Sequence, residues 1–324
     1  MHNKRRLIVA SIGLLAAFGF ITAHAQDYPS RPIRLITDSG PGSAVDSTNR
    51  IIAHALGRVL GQQVLVINQP GAGGALAARD AAKATPDGYT LAIASLSTFV
   101  AAPGSAPNLP IQMPKDFIAV GYLGGAPMVI TASPRLGAKT IAELIALAKQ
   151  KPGELAYGTN GPGRLTHLTG ELLQSRAGIK LLMVPYSGGT AQVLNDVLGG
   201  RIPIAIDAYS GLTAAIDSGT VIPLAVAAPK RVANLPNLPT VAETLPGFEA
   251  GGWQVLIAPV GTPDAIVRKL NQAAVQAVTL PETRERLTRL GRDERPLSSA
   301  ETLAFILDEQ KKWAPIVSQI AAAR

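Results

Sequence analysis

Residues 32–60, PIRLITDSGPGSAVDSTNRIIAHALGRVL, contain the pattern from which the fold is predicted. The first six residues form an apolar stretch typical of a buried strand, and residues 38–45 form a loop rich in Gly, Pro and Ser. From Asp46 to Leu60 the apolar residues recur at helical spacing, and Gly61 ends the helix. A strand, a loop and a helix in this order indicate the first part of a βαβ unit.

The same succession recurs along most of the chain. Further strands are predicted at residues 63–67, 89–95, 120–132, 155–159, 180–184, 202–206, 222–227 and 253–258. Further helices are predicted at residues 75–84, 140–151, 165–176 and 190–198, after residue 262, and at residues 298–323. This alternation predicts an α/β fold with a largely parallel sheet.

The order of the elements fits two βα domains better than one very long sheet. The extended runs near residues 120–132 and 250–258 are the expected crossover strands between the two lobes. We therefore expect a discontinuous first domain, residues 26–127 plus 251–324, and a second domain, residues 128–250.

Residues 1–25 have the pattern of a secretory signal peptide. Lys4, Arg5 and Arg6 are followed by an apolar run and by an Ala-His-Ala cleavage site that ends at Ala25. The apolar run is about 15 residues long, whereas a membrane span needs roughly 20, so an uncleaved anchor is the weaker alternative. We expect a periplasmic protein, cleaved after Ala25.

Composition excludes several classes of protein. The 324 residues are 47% hydrophobic and 16% charged, which argues against a disordered chain. With no Cys, the chain has no disulfide, no thiolate metal site, no Cys nucleophile and no lipid anchor on Cys. Three of the 30 basic residues lie in the signal peptide, so the formal charge of +8 falls to +5 after cleavage. The basic residues are scattered, and we expect no nucleic-acid partner.

Four strand-to-helix loops are rich in Gly and small hydroxyl residues. They are residues 40–43, 71–74, 159–163 and 187–190. At the carboxyl ends of parallel strands such loops line a crevice, and each helix start offers unpaired N–H groups and a positive dipole end. Any one loop is more simply a turn with a helix cap. Four of them around one cleft indicate a site for an anion or a polar acid.

Motifs of enzymes are mostly absent from the sequence. It contains no GxxxxGK[ST] phosphate-binding loop, no complete GxGxxG and no GxSxG nucleophile elbow, and it shows no zinc or calcium spacing. After the signal peptide only His54 and His167 remain, and His54 lies in the middle of a helix. We expect a protein that is not an enzyme and has no metal or cofactor. A secreted hydrolase with a Ser–His pair is the disfavoured alternative.

Four side chains near the loops are candidates, and three of them allow two interpretations each. Asp46 is either the first-turn acid of its helix or a ligand contact, and His167 either braces its loop or contacts the ligand. Asp207 ends a strand, where it would accept a hydrogen bond from a ligand or brace Tyr186. Tyr186, followed by two Gly residues, is a candidate wall of the cleft.

Taken together, these patterns resemble the Bug family, the periplasmic substrate-binding proteins of tripartite tricarboxylate transporters. The resemblance covers nearly all of the chain after the signal peptide. The matching residues are 28–34 (YPSRPIR), 41–43 (PGS), Asp46, Asn68, 70–74 (PGAGG), 86–90 (PDGYT), 143–144 (EL), 148–149 (AK), 152–153 (PG), 167–168 (HL), 184–186 (VPY), 198–200 (LGG), 230–231 (KR), 238–241 (LPTV) and Trp253.

The resemblance implies a type II periplasmic-binding-protein fold, a monomeric Venus flytrap that closes around a small carboxylate and delivers it to a membrane permease. A sensor that docks on a signalling receptor is the alternative within this fold. The implied contacts in the first lobe are Gly42, Ser43, Gly71, Ala72, Gly73 and Gly74, to which we add Asp46. Those in the second lobe are Thr159, Asn160, Tyr186, Ser187, Gly188, Thr190 and Asp207, to which we add His167.

The first loop departs from the family pattern. Where the family commonly has Pro-Phe-Pro-Pro-Gly-Gly-Ser-Thr-Asp, residues 38–46 read Asp-Ser-Gly-Pro-Gly-Ser-Ala-Val-Asp. The aromatic position is Ser39, and two hydroxyl positions are Ala44 and Val45. Because backbone groups can still cradle an anion, the resemblance predicts the class of ligand but not its identity.

Overall fold

The computed structural model describes residues 28–101, 111–186, 189–232 and 235–322. The predicted signal peptide, and Ser187 and Gly188 of the fourth loop, lie outside the described residues. The strands are β1 (Ile33–Thr37), β2 (Val64–Asn68), β3 (Thr90–Ser95), β4 (Phe117–Ala132), β5 (Ala156–Thr159), β6 (Leu182–Pro185), β7 (Ile204–Ala208), β8 (Ile222–Val226) and β9 (Gly251–Pro259). The helices are α1 (Ala44–Leu60), α2 (Ala75–Ala82), α3 (Ile141–Gln150), α4 (Leu165–Ala177), α5 (Thr190–Leu198), α6 (Tyr209–Asp217), α7 (Asp264–Thr279), α8 (Pro281–Arg289) and α9 (Ser299–Ala322).

The strands form a mixed sheet in the order β2-β1-β3-β9-β4-β7-β5-β6, and β8 also pairs with β4. Strand β1 is parallel to β2 and β3, and β5 is parallel to β6 and β7. The long strands β4 and β9 are antiparallel to every neighbour with which they pair. The expectation of a largely parallel sheet is therefore wrong, because the two long strands run against the βα units.

Strand β4 is shared by two parts of this sheet. Its residues 117–127 pair with β9, whereas its residues 128–132 pair with β7 and β8. We call β2, β1, β3, β9 and residues 117–127 the first half-sheet, and residues 128–132 with β7, β8, β5 and β6 the second half-sheet. A single 16-residue strand therefore carries the chain from one half-sheet to the other.

Helices α1 and α7 cover one face of the first half-sheet. Ile52 and Leu56 of α1 and Leu270 of α7 are buried in one cluster with Leu35 and Leu256 of the sheet. Full burial of such a side chain stabilises the fold by about 1.5 to 3 kcal/mol. Because α7 follows β9, the C-terminal part of the chain returns to the first half-sheet.

Two tryptophans join the C-terminal helix to a crossing strand. Trp253 of β9 and Trp313 of α9 are buried. Both indole N–H groups donate to Oε2 of the buried Glu309, at 2.9 and 3.1 Å. The carboxylate of Glu309 therefore holds α9 against β9.

Most predicted elements lie within a few residues of the observed ones. Helices α6 and α8 are not predicted by the sequence pattern, since α6 begins with Tyr-Ser-Gly, a turn-like start, and α8 follows α7 directly at Pro281. Among the described residues, no helix has the length and apolar character needed to cross a membrane.

Candidate functional site

The first loop is held by the carboxylate of Asp46. Ser43 is the N-cap of α1, and its Oγ accepts a hydrogen bond from the Asp46 amide at 3.1 Å. The buried Asp46 carboxylate accepts from the Gly42 amide (2.9 Å), from Arg50 Nε (2.9 Å) and from Asn68 Nδ2 (2.7 Å). The bond from Asn68 is the first of the causes that lower the pKa of Asp46 to about 2. These contacts favour the first-turn, loop-bracing interpretation of Asp46.

The second loop has an unusual backbone. Gly71, Ala72, Gly73 and Gly74 all have positive φ angles, of 134°, 47°, 64° and 98°. For Ala72 this conformation costs roughly 1 to 2 kcal/mol, because its Cβ crowds the following carbonyl. A turn of this kind can present backbone N–H groups to an anion, although the Gly74 amide already donates to the Gly71 carbonyl at 3.0 Å. Strain of this kind is typical of ligand clamps.

Asp38 connects the first loop with the second. It follows β1 directly, and a Cβ added to Gly74 would lie 2.8 Å from Asp38 Oδ2 and 2.5 Å from Thr98 Oγ1. Only a glycine at position 74 therefore leaves room for this carboxylate. Ser95 Oγ, at the end of β3, donates to Asp38 Oδ2 at 3.5 Å. The loops after β1, β2 and β3 thus meet at one polar cluster.

The third loop is braced from within. Thr159, at the end of β5, is fully buried, and its Oγ1 accepts a hydrogen bond from the Gly161 amide at 3.2 Å. The Asn160 amide donates to Thr166 Oγ1 of α4 at 2.9 Å. Thr159 and Thr166 therefore fix the path of the chain from β5 into α4, which leaves the Asn160 side chain to reach a neighbouring strand.

The carboxylate of Asp207 binds two loops of the second half-sheet. Its Oδ2 accepts from Asn160 Nδ2 at 3.2 Å and from Thr190 Oγ1, and its Oδ1 accepts from the Ala208 amide at 2.7 Å. Burial raises the pKa of Asp207, and these three bonds oppose the rise. Of the second-lobe candidates, Asn160, Thr190 and Asp207 therefore form one hydrogen-bonded group.

His167 uses both ring nitrogens within the protein. Nδ1 accepts a hydrogen bond from the Gly163 amide at 3.1 Å, so the proton of the neutral ring lies on Nε2. Nε2 faces Glu171 Oε1 at 3.6 Å, and the hydrogen bond with His167 is the first of the causes that lower the pKa of Glu171. With 5% of its surface exposed, His167 is placed to brace the third loop.

Tyr186 is held by the carboxylate of Asp196. Its hydroxyl donates to Asp196 Oδ2 at 2.7 Å, and its amide donates to the Thr159 carbonyl at 2.8 Å. The interpretation that Asp207 braces Tyr186 is therefore wrong. Burial, together with the bond to Asp196, raises the pKa of Tyr186 to about 12.

The loops of the two half-sheets face each other beside β9. Leu165 of α4 lies against this strand, since a Cβ added to Gly252 would lie 3.3 Å from Leu165 Cδ2. The preceding residue, Arg164, has an exposed side chain whose positive charge acts on Asp38 and opposes the rise in pKa that burial causes there. Asp38 and Arg164 therefore mark the two sides of the candidate site.

A separate cavity of about 210 Å³ lies at the crossing strands. It is lined by residues that include Gly125, Pro127, Gly251 and Arg295, and by none of the predicted site residues. In the part of the chain that the structure describes, no group of three or more His, Asp or Glu side chains is arranged to hold a metal ion.

Sequence reasoning missed four residues of the site. Asp38, Ser95, Arg164 and Gln254, which lies on β9 directly opposite Ser95, were not among the predicted contacts, although Asp38 and Ser95 stand at the carboxyl ends of β1 and β3. Their positions at strand ends would have been a sufficient signal for these two. Arg164 and Gln254 are brought to the site by folding alone.

Comparison with known proteins shows which family has this architecture. Residues 48–322 match the model of the family described as the tripartite tricarboxylate transporter family receptor. The chain is 35% identical to protein BugT of Bordetella pertussis over 324 residues, which is 99% of each chain. It is similar to the structure of Rpa4515 of R. palustris with adipate (30% identity, TM-score 0.81, 91% of this chain and 98% of that one). It is also similar to the periplasmic binding protein BugD (32% identity, TM-score 0.77, 90% and 98%).

The fold and the facing loops define a periplasmic solute-binding protein, and the predicted fold class is confirmed. The chain belongs to the tripartite tricarboxylate transporter receptor family, among the Bug proteins. The sequence resemblance to this family is thereby confirmed as well.

Proposed function

We propose that this protein captures a small carboxylate between two lobes and delivers it to the permease of a tripartite tricarboxylate-type transporter. The observation that carries the proposal is the meeting of polar loops from both half-sheets, with Asp38 on one side and Arg164 on the other. The bound adipate of the relative Rpa4515 supports a carboxylate as the ligand class.

The ligand would lie between the strained second loop and the group around Asp207. In the first lobe we assign it the backbone N–H groups of residues 71–73, which suit a carboxylate. Gly42, Ser43 and Gly74, whose amides donate within the chain, would line the site beside them. In the second lobe we assign it Asn160, Thr190 and Asp207, together with Thr159, Ser187 and Gly188. Asp46, His167 and Tyr186 would act by holding these loops in place.

Closure would move residues 128–250 relative to residues 26–127 plus 251–324. The chain passes between these parts at Pro127 in β4 and at Gly251, where β9 begins, so two strands form the hinge. Ligand binding would shift an open–closed equilibrium, and no bond of the ligand would be made or broken. We infer a monomer that is released into the periplasm by cleavage after Ala25.

Titration calorimetry on the mature protein tests this function. The panel holds di- and tricarboxylates, aromatic acids, amino acids and their amides, and we expect at least one anionic member to bind with one-to-one stoichiometry. Failure of every anionic member would contradict the proposal. Capture of a permease from membranes in the presence of the bound ligand would support delivery, whereas capture of a sensor kinase would favour signalling instead.

A further inference from the structure

Three carboxylates lie at the candidate site, and the protein donates different numbers of hydrogen bonds to them. Asp46 and Asp207 each accept three hydrogen bonds from other groups of the chain. Asp38 receives one side-chain hydrogen bond within the described residues, from Ser95 Oγ at 3.5 Å, which is the long limit for such a bond. Its own backbone N–H is the other donor. Asp38 therefore keeps most of its capacity to accept hydrogen bonds.

A second buried acceptor lies on the strand that pairs with Ser95. Gln254 of β9 is directly opposite Ser95 of β3, and directly opposed residues of an antiparallel pair point to the same face of the sheet. Its Nε2 donates to Asn49 Oδ1 at 2.7 Å, but its buried Oε1 has no hydrogen-bond partner among the described residues. An orphan buried acceptor is costly, so a donor is expected to reach it.

The positive charge that faces these acceptors belongs to the other lobe. Arg164 precedes α4, and within the described chain it forms no ion pair with Asp38. Thr98 and Ser95, which also surround Asp38, carry no charge. The site thus has an acceptor-rich negative side in the first lobe and a cationic side in the second, and the two charges do not touch each other.

From this arrangement we infer that Asp38 selects a ligand that carries a protonated amine in addition to its carboxylate. The ammonium group would donate to Asp38 and Gln254, and the ligand carboxylate would face Arg164 or the N–H groups of the second loop. This inference rests on the proposed function, and it narrows the ligand from carboxylic acids in general to amino acids.

A plain dicarboxylate fits this site less well. Its carboxylate would meet the negative charge of Asp38, and like charges brought together in a partly buried site repel strongly. An ammonium group would instead form charge-assisted hydrogen bonds with acceptors that the protein leaves unsatisfied. Burial raises the pKa of Asp38, so in the ligand-free protein its ionised form costs stability, and the cost sets in as the pH rises above about 4.

The test compares ligands that differ only at one carbon. Calorimetry at pH 7.5 measures the affinities of succinate, malate and aspartate, and of adipate and 2-aminoadipate, for the native protein and for Asp38→Asn. Of the succinate and adipate series, one will bind the native protein more tightly. Within that series we expect the amino acid to bind at least about tenfold more tightly than the plain diacid. Asp38→Asn should remove this preference. Asp87→Asn, which changes an exposed carboxylate paired with Arg31, is the matched control and should leave the preference unchanged.

Thermal unfolding of the ligand-free proteins checks that Asp38→Asn folds. We expect this variant to be more stable than the native protein at pH 7.5 and no more stable at pH 3.5, since it lacks the cost of a buried charge. Binding of diacids with no gain from the amine, or an unchanged preference in Asp38→Asn, would overturn the inference and leave the proposed function standing. Equal weakening of every ligand would show that Asp38 acts as a closing contact with Arg164, which would also overturn it. Binding of no acid at all would refute the proposed function itself.

Discussion

Asp46 offers the sharpest test of how the first lobe is built. Asp46→Asn replaces a carboxylate that accepts from the Gly42 amide, Arg50 Nε and Asn68 Nδ2 by a group with one acceptor oxygen. Hydrogen bonds to charged groups contribute about 1.5 to 3 kcal/mol each, and the bonds within one cluster are not additive. We expect the free energy of unfolding to fall by about 3 kcal/mol, measured by urea denaturation at pH 7.

Arg50→Ala is the matched control for this variant. It removes one of the three partners, and the side chain of Arg50 is 52% exposed, so the loss should stay below about 1 kcal/mol. If Asp46→Asn lowered the free energy of unfolding no more than Arg50→Ala, the carboxylate of Asp46 would not be what holds these loops together.

The same carboxylate predicts a pH dependence. Its pKa in the fold is about 2, below the ordinary value of 3.8, so it stabilises the fold fully above about pH 4 and loses that contribution as the pH falls toward 2. The difference in stability between the native protein and Asp46→Asn should therefore narrow between pH 4 and pH 2. A difference that stays constant over this range would contradict the assignment.

Three further predictions follow from the loops. Ala72→Gly should stabilise the protein by about 0.5 to 1 kcal/mol in urea unfolding because it relieves a φ of +47°, whereas Ala81→Gly in helix α2 should destabilise it. Ser43→Asp keeps the N-cap of α1 but adds a negative charge, so it should weaken the binding of any carboxylate by about tenfold in calorimetry, while the neutral cap Ser43→Asn should not. Neither the native protein nor His167→Ala should turn over an ester panel, since both nitrogens of His167 are held by the chain; turnover that is lost in His167→Ala would favour a hydrolase.

The local elements of this protein are largely predictable from its sequence. The strand over residues 33–37 and helix α1 with its Gly61 stop follow from apolar spacing and from residues that are typical of helix ends. The helix begins at Ala44 with Ser43 as its cap, two residues before the predicted start at Asp46. Helix α5 starts and stops at the predicted residues. Helix α6 was missed because its Tyr-Ser-Gly start has the composition of a turn, and tertiary packing of Leu212 overrides that local preference.

The candidate site was predicted as a set of loops, but the individual contacts were not. For Asp207 the sequence left open a ligand contact or a brace for Tyr186. In the structure Asp207 accepts from Asn160 and Thr190, while Tyr186 binds Asp196. Which acceptor a hydroxyl reaches depends on distances of a few tenths of an ångström between separate elements. Residue spacing along the chain does not contain that information.

The sequence by itself determined the α/β class, the order of the elements, and the Gly-rich loops that follow the strands, because these depend on local propensity and on short-range patterns. Tertiary structure decided the rest. The pairing of β4 with both half-sheets brings Asp38 and Gln254 to one side of the site and Arg164 to the other. Asp38, Arg164 and Gln254 are at least 90 positions apart in the chain. Their charges and unpaired acceptors can act on one ligand only because long-range strand pairing and burial place them together.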